Sequence, residues 1–253
     1  MRILITRPRE DAEPLAQALA ACGVECVIAP VLDITVPPGR PLSLDGVQVL
    51  VATSANGVRA FALRDRRRHL PVYAVGPATA EAARRAGFSR VTTAGGEVTS
   101  LAARIAADLD PAAGAVLHIA GSKLAGDLAG ALRTSGFSYR RAVLYEARRR
   151  QTLPAVARTA LGAAAVDGVV FYSPRTARIF AELTSDAGLA PACAGLVAFC
   201  LSAAVADAAA TLPWARLQVA ARPDGDAMLA LITEAASCRP GQHFVSPPGR
   251  FPC

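Results

Sequence analysis

The stretch VLVATSANGVRAF, from Val49 to Phe61, has the pattern of a buried strand, a turn and a helix. Its unbroken apolar start is typical of a strand in a parallel sheet that is covered on both faces. A stretch of the same kind, GVVFYSPRTARIF, runs from Gly168 to Phe180. Aligned without gaps, the two share a serine, an arginine and a phenylalanine, at Ser54 and Ser173, Arg59 and Arg178, and Phe61 and Phe180. We therefore expect the chain to build the same strand–turn–helix unit twice.

The repeat extends beyond this unit. VYAVGPATAEAA matches VAFCLSAAVADAA, with Gly76 aligned to Ser202 and Thr79 to Val205. Further on, GGEVTSLAARI matches RPDGDAMLALI. All strand–helix units share such features, so a generic likeness is the alternative interpretation. The shared order and spacing favour two like halves.

Strand-like and helix-like segments alternate along the rest of the chain. The strand-like segments are RILIT, VECVIA, VQVLVAT, PVYAV, AVLHIA, GVVFY and GLVAFC. The helix-like segments between them include PREDAEPLAQALAACG, PATAEAARRAGF and KLAGDLAGALRTSGF. This alternation predicts an α/β fold with parallel sheets flanked by helices.

Two extended stretches fit neither half. They are PVLDITVPPGRP, residues 30–41, and AVLYEARRR, residues 142–150. We expect them to pair as a two-stranded antiparallel linker between two similar domains, with the ligand cleft between the domains. The first domain is then discontinuous, with residues 1–34 and 151–237, and the second comprises residues 42–141. The proline-rich tail, residues 238–253, is expected to be disordered.

The composition is that of a globular protein with a net charge of +7, carried almost entirely by arginine. A basic chain can bind nucleic acid, an anionic membrane or an acidic small molecule, although GC-rich codons would produce the same arginine excess. Aromatic residues make up only 5% of the chain, and no basic stripe is interleaved with them. Nucleic acid is therefore not the expected partner.

The cysteine spacing argues against a metal site, and the apolar segments indicate where in the cell the protein is expected. The six cysteines include no CxxC pair and are accompanied by only three histidines, so we expect buried, reduced thiols and neither a zinc site nor disulfides. The start MRILITRPRED does not have the pattern of a signal peptide. Residues 187–206 lack charge, but Gly188, Pro191 and Gly195 interrupt them, which favours a loop, a buried strand and a helix start over a membrane span. We expect a cytoplasmic protein.

Candidate ligand sites lie where strands end and helices begin, at TSANG, VGPATA, IAGS, YSPRT and LSAAV. The carboxyl ends of parallel strands are the usual ligand-binding edge of such sheets, and a helix N-terminus attracts anions. The alternative interpretation is that these serines and threonines are only helix caps. GxGxxG, GxxxxGK[ST], GxSxG and HExxH patterns are all absent, and we interpret His118 as a core or rim residue.

The chain resembles the uroporphyrinogen-III synthase family. The resemblance rests on ITRP at residues 5–8, TSANGVRAF, VGPATA, Gly136 followed by Tyr145, FYSPRTARIF and PDGDAMLALI, in that order. It implies a cofactor-independent cyclising lyase of tetrapyrrole and heme biosynthesis, built from two domains joined by a two-stranded ladder. The implied substrate is hydroxymethylbilane, a linear tetrapyrrole with eight carboxylates. It is closed with inversion of ring D and loss of water, through a spiro intermediate.

The resemblance implies that Tyr145 is the proton donor for the departing hydroxyl, since a phenol is protonated at neutral pH and can act as a general acid. The alternative is that Tyr145 only packs at the linker. The strand ends and the resemblance together give the candidate substrate-binding residues Arg7, Thr53, Ser54, Ala55, Asn56, Gly76, Pro77, Ala78, Thr79, Gly121, Ser122, Ser173, Pro174, Arg175, Thr176, Ser202, Ala203 and Ala204. We expect neither a metal nor a cofactor. We expect a monomer, and the upstream enzyme that forms hydroxymethylbilane is a further candidate partner.

The chain departs from the family pattern at two places. Val205 stands where a hydroxyl residue is common, and Ala120 stands where an arginine is common. A different class of protein is also compatible with the same features, namely a non-catalytic two-lobed protein that binds small anions. That protein would return its ligand unchanged, whereas the enzyme would convert it.

Overall fold

The computed structural model describes residues 1–124 and 126–237. In chain order the strands and helices are β1 (Arg2–Ile5), α1 (Arg9–Ala21), β2 (Glu25–Ile28), β3 (Leu32–Thr35), β4 (Val47–Ala52), α2 (Ala55–Arg64), β5 (Val72–Ala74), α3 (Pro77–Arg85), β6 (Val91–Thr93), α4 (Val98–Asp108), β7 (Ala115–Gly121), α5 (Leu128–Thr134), β8 (Tyr139–Arg149), α6 (Ala155–Gly162), β9 (Gly168–Phe171), α7 (Pro174–Asp186), β10 (Val197–Cys200), α8 (Ala203–Ala209), β11 (Arg216–Val219) and α9 (Gly225–Ser237). Short 3-10 helices occupy Pro111–Ala113 and Ala190–Gly195. The predicted alternation of strands and helices is confirmed.

The chain forms two compact units. The first consists of Met1–Leu32 together with residues 149–237, and the second is Asp33–Arg148. The tail predicted to be disordered, residues 238–253, lies outside the described residues.

The first unit contains a parallel sheet in the order β11-β10-β9-β1-β2. Alternate residues of its strands face opposite sides, as the strand period requires. Leu4 packs on one side with Phe180 of α7, and Ile3 and Ile5 pack on the other side with Leu19 of α1. Both faces are thus buried, which explains the continuous apolar runs.

The second unit contains a sheet in the order β3-β8-β7-β4-β5-β6, and β8, β7, β4, β5 and β6 pair in parallel. Leu50 packs with Phe61 of α2 on one face, whereas Val51 packs with Leu101 of α4 on the other. An α/β fold with parallel sheets flanked by helices is therefore confirmed.

Residues 142–149 of the second predicted linker segment belong to a strand that begins earlier, at residue 139. Strand β8 begins at Tyr139, and its first half continues the second sheet beside β7, while β3 is its neighbour on the other side. The antiparallel two-stranded linker and the cleft stay predictions.

Helix α5 begins later than its sequence pattern indicated. It starts at Leu128 because Asp127 caps it: the Asp127 side chain accepts a hydrogen bond from the amide of Gly130 at 2.8 Å.

The interrupted apolar segment, residues 187–206, forms the loop, strand and helix start that its sequence predicted. Among the helices of residues 1–124 and 126–237, none has both the length and the apolar composition that crossing a membrane requires. Four cysteines fall within these residues as free thiols. Burial raises the pKa of Cys26, Cys193 and Cys200 to about 11, whereas Cys22 is exposed and so differs from the buried thiols expected.

Candidate active site

Ser54 begins the first corner of the second unit, at the carboxyl end of β4. Its backbone is extended, with φ −156° and ψ 151°, and its side chain accepts a hydrogen bond from the amide of Gly57 at 3.2 Å. Gly57 lets α2 lie directly against β7, because a Cβ there would be 2.3 Å from the carbonyl oxygen of Ile119. The first turn of α2 is thus fixed on the sheet, with Ala55 and Asn56 partly exposed.

Tyr145 is brought to this corner by an irregularity in strand pairing. Ala120 pairs with Val143, but Gly121 pairs with Tyr145, so the register shifts by one residue. As a result Leu144 and Tyr145 pack on the same face of the sheet, where a regular strand would place them on opposite faces. The hydroxyl of Tyr145 lies 2.8 Å from the hydroxyl of Ser54.

Gly121 provides the space for the Tyr145 ring. A Cβ at this position would lie 2.6 Å from Cζ of Tyr145 and 3.0 Å from its hydroxyl oxygen. The amide of Ser122 donates to the carbonyl oxygen of Tyr145 at 3.0 Å, which closes the pairing of the two strands. Gly121 therefore shapes the corner as the support for Tyr145.

The opposite face of the same strand ends carries a second polar cluster. Nε2 of His118 lies 3.0 Å from the hydroxyl of Thr53, and Nδ1 lies 2.7 Å from the hydroxyl of Tyr139. His118 is almost fully buried, and burial together with the positive charge of Arg141 lowers its pKa to about 4. The interpretation of His118 as a core or rim residue is confirmed for its burial, and its two hydroxyl partners add a polar role.

The second corner of this unit is the start of α3. Gly76 is the cap residue, and Pro77 and Ala78 are exposed in the first turn. Thr79, whose hydroxyl was expected to contact ligand, is buried and 6% exposed. At the start of α2, Nη1 of Arg59 donates a hydrogen bond to Oδ1 of Asn56 at 2.7 Å. At both helix starts, backbone amides and small exposed side chains therefore form the surface.

The IAGS stretch differs from the other corners because β7 is not followed directly by a helix. The Asp127 cap of α5 comes well after Gly121 in the chain, and Ser122 is exposed in the turn. Arg141 donates through Nη2 to the carbonyl oxygens of Gly121, at 2.6 Å, and Ser122, at 3.0 Å. Arg141 thus places a positive charge at Gly121 and Ser122, directly after Ala120, where the family pattern commonly has an arginine.

In the first unit, Ser173 repeats the geometry of Ser54. It caps α7 with φ −151° and ψ 149°, and its hydroxyl accepts from the amide of Thr176 at 3.1 Å. The Thr176 hydroxyl lies 2.8 Å from that of Ser173, and Thr176 itself is buried. Pro174 and Arg175 follow the cap and are partly exposed.

Arg7 follows the carboxyl end of β1, which pairs with β9 in the sheet. Its guanidinium carbon is 4.0 Å from the centre of the Tyr172 ring, and its Nη2 is 3.5 Å from Oδ2 of Asp11. Burial raises the pKa of Tyr172, although the charge of Arg7 acts in the opposite direction. The stacked ring restrains the Arg7 side chain, which stays 22% exposed.

The start of α8 is the least polar corner. Ser202 is its cap residue without a side-chain capping bond, and Ala203 and Ala204 are exposed. Val205 is buried at the position that corresponds to Thr79, which is also buried. The departure at Val205 therefore replaces a buried hydroxyl with a buried methyl group.

The corners share a chemistry suited to carboxylates. Each capped helix start directs backbone N–H groups and the positive end of a helix dipole toward the sheet edge, with Arg7 and Arg141 nearby. In the part of the chain that the structure describes, no group of three or more histidine, cysteine or acidic residues is placed to hold a metal ion. Two surface cavities, of about 340 Å³ beside Arg64 and Arg140 and about 460 Å³ beside Gln17 and Cys26, are not lined by the candidate residues, although Arg141 lines the first.

A family model described as "Uroporphyrinogen-III synthase HemD" matches residues 13–230. The chain belongs to the uroporphyrinogen-III synthase family. The family resemblance and the enzyme class predicted from the sequence, a cyclising lyase of heme biosynthesis, are thereby confirmed.

Solved structures show the same fold at low sequence identity. A uroporphyrinogen-III synthetase from Helicobacter pylori is 19% identical, with a TM-score of 0.59 over 94% of this chain and 100% of that chain. A mutant uroporphyrinogen III synthase from the extremely thermophilic bacterium Thermus thermophilus is 18% identical, with a TM-score of 0.52 over 94% of this chain and 100% of that one. Among curated protein sequences, none matches the chain significantly.

The comparisons bear on the family and the fold, and the roles of individual residues are still predictions. The structure brings Ser54, Tyr145 and Gly121 together in one unit, and it places Arg7 beside Tyr172 in the other. The sequence analysis did not identify three neighbours of these residues, namely Tyr172, Tyr139 and Arg141. Arg141 and Tyr139 stand in a strand whose register cannot be read from local sequence, but the aromatic residue directly before Ser173 was a usable signal for Tyr172.

Proposed function

We propose that the chain cyclises hydroxymethylbilane to uroporphyrinogen III, with inversion of ring D and release of water. The observation that carries the proposal is the family match over residues 13–230. The geometry of the corners supports it, because the substrate is a flexible polycarboxylate and each corner offers N–H groups, hydroxyls or a guanidinium to an anion.

Tyr145 is proposed to protonate the departing hydroxyl group. The phenol proton leaves with that hydroxyl as water, and the remaining azafulvenium carbon is attacked by the substituted carbon of ring D to give the spiro intermediate. Fragmentation and closure at the free carbon then release a proton, which returns to the phenolate. No net proton is consumed, so the tyrosine is regenerated.

Ser54 is proposed to support this proton transfer. Its oxygen already accepts from the amide of Gly57, so its own proton can be donated to the Tyr145 oxygen 2.8 Å away. That hydrogen bond is stronger to a phenolate than to a phenol, because bonds to charged acceptors are about twice as strong as neutral ones. The contact therefore stabilises the charge that develops on Tyr145 when the hydroxyl group leaves.

The substrate carboxylates are proposed to bind at the starts of α2, α3, α7 and α8 and at Arg7. The first-turn residues Ala55, which is partly exposed, and Pro77, Ala203 and Ala204, which are exposed, have short or apolar side chains that leave the backbone amides accessible. That both units bind the same substrate molecule is part of the proposal. Positioning of this kind selects the type III isomer over the type I isomer that closes without an enzyme.

An isomer assay tests the function. Freshly prepared hydroxymethylbilane is supplied to the purified protein without a cofactor, and the oxidised products are separated into uroporphyrin I and III. We expect a large excess of isomer III over a protein-free control. Isomer I alone, from folded protein and live substrate, would reject the proposed enzyme activity and favour a two-lobed anion-binding protein.

We further propose that the protein is a cytoplasmic monomer and that the enzyme that forms hydroxymethylbilane is its partner.

A further inference from the structure

His118 occupies an unusual place for a core histidine. It lies in the middle of β7 among the buried apolar residues of the sheet, yet both of its ring nitrogens contact hydroxyl groups. One of these hydroxyls belongs to Thr53, which is partly exposed and directly precedes the cap of α2. The other belongs to Tyr139, on the neighbouring strand β8.

Only one of the two ring nitrogens of His118 can donate a hydrogen bond to these hydroxyls. Burial and the charge of Arg141 keep the imidazole neutral at physiological pH, with a pKa of about 4. A neutral imidazole has one N–H donor and one acceptor nitrogen. The three groups therefore form a directed chain, which runs either from Tyr139 to Thr53 or from Thr53 to Tyr139.

The direction follows from the acidity of the two hydroxyls. A phenol is a far better proton donor than an aliphatic alcohol, and the contact between Tyr139 and Nδ1 is also the shorter one, at 2.7 Å. Tyr139 then donates to Nδ1, and the Nε2–H group of His118 donates to the Thr53 oxygen. Burial raises the pKa of Tyr139, while the positive charges of Arg141 and Arg133 act in the opposite direction and favour Tyr139 as the donor.

We infer that His118 is a positioning residue, which holds the Thr53 hydroxyl as a hydrogen-bond donor toward a substrate carboxylate at the start of α2. Because its oxygen accepts from Nε2–H, Thr53 keeps its own proton for another acceptor. Within residues 1–124 and 126–237, Nε2 of His118 is the hydrogen-bond partner of this hydroxyl, so in the tautomer with a proton on Nε2 the Thr53 proton has no acceptor among these residues. The inference deepens the proposed function and rests on it for the identity of the ligand.

Two substitutions of His118 separate the contacts. The amide nitrogen of glutamine can take the place of Nε2, whereas asparagine is shorter and reaches only the place of Nδ1. We expect H118N to raise KM about tenfold, the effect of one lost hydrogen bond to a charged group, with kcat changed less than about twofold. H118Q should restore KM to within about twofold of the original value, since it still donates to Thr53.

Tyr73 provides a matched control. It is buried in the same apolar cluster as β7, and its hydroxyl donates to Asp108 at 2.9 Å, away from Thr53. Y73F should therefore lower Tm without changing KM. If H118N behaves like Y73F, with a lower Tm and an unchanged KM, His118 is only structural and the inference is wrong. In a double-mutant cycle, T53V should remove most of the effect of H118N on KM.

The protonated nitrogen of His118 can be observed without any activity. Long-range proton–nitrogen correlation spectra of the nitrogen-15-labelled protein distinguish the two ring nitrogens, and the His118 signals are assigned by their loss in H118Q. We expect the proton on Nε2, and a proton on Nδ1 would overturn the inference. If the isomer assay fails for the unmodified protein, the proposed function is wrong, and this spectrum still decides the direction of the hydrogen-bond chain.

Discussion

The hydroxyl oxygens of Ser54 and Tyr145 lie 2.8 Å apart, although 91 residues separate them in the chain. One caps a helix that follows β4, and the other reaches the same place because β8 shifts its register beside β7. The contact joins the anion-attracting start of α2 to the residue that we propose as proton donor. On that proposal, the serine that caps α2 also takes part in the chemistry.

The first prediction concerns Tyr145 itself. Y145F removes the proton donor and keeps the ring, so kcat should fall about a hundredfold, at the low end of the range for a general acid. Substrate binding and the circular dichroism spectrum should be little changed. The rate of uroporphyrinogen III formation under saturating substrate is the measurement. An unchanged kcat would exclude Tyr145 as the general acid and leave it as a packing residue.

The second prediction compares two serines that cap helices in the same way. Loss of either cap, in S54A or S173A, should cost about 1 kcal/mol of unfolding free energy, measured by urea denaturation. S54A also removes the partner of Tyr145, so its kcat should fall, whereas S173A should raise KM and leave kcat nearly unchanged. Equal effects of the two variants on kcat would mean that the contact between Ser54 and Tyr145 has no catalytic role.

The third prediction tests the space beneath Tyr145. In G121A the added methyl group would lie 2.6 Å from Cζ of the ring, so the ring must move away from Ser54. We expect kcat to fall as in Y145F, with some loss of Tm as well. Gly162 is the matched control, because a Cβ there has no neighbour within 4 Å and the residue ends a helix. G162A should keep full activity, and full activity in G121A would contradict the proposed ring position.

Local sequence was sufficient for most of the strands and helices and for the caps of α2 and α7. The apolar runs and the serines after them predicted the strands and the starts of α2 and α7, because a cap depends on only a few neighbouring residues. Asp127 carried a comparable local signal before α5, but the preceding KLAGD segment was interpreted as helix. The error shows that an N-cap residue inside an alanine-rich pattern marks a boundary.

Contacts between distant strands could not be predicted in this way. The position of Tyr145 depends on the register shift at Gly121, and the partners of His118 stand 65 and 21 residues away. Register is set by pairing across the whole sheet, so a single strand sequence does not determine it. The hydroxyls of Thr79 and Thr176 were expected to be available to ligand, but they lie on the buried side of their helices, a distinction that the cap pattern alone does not make.

The last prediction is the pH dependence that His118 gives to stability. Its pKa of about 4 in the folded protein lies below the ordinary value of 6.5. Between these values the unfolded chain binds more protons than the folded one, so the unfolding free energy should decrease as the pH falls through this window. The full effect is about 3 kcal/mol and is absent above the ordinary pKa.

H118Q is the control for this pH dependence, because it retains the carboxylates, which also titrate at low pH, and lacks the imidazole. Urea denaturation of both proteins at about pH 7.5 and about pH 4.5 separates the two contributions. The original protein should lose about 2 kcal/mol more than H118Q over this interval. Equal losses would mean that His118 titrates in the fold as it does in the unfolded chain, which would contradict its burial as a neutral ring between Thr53 and Tyr139.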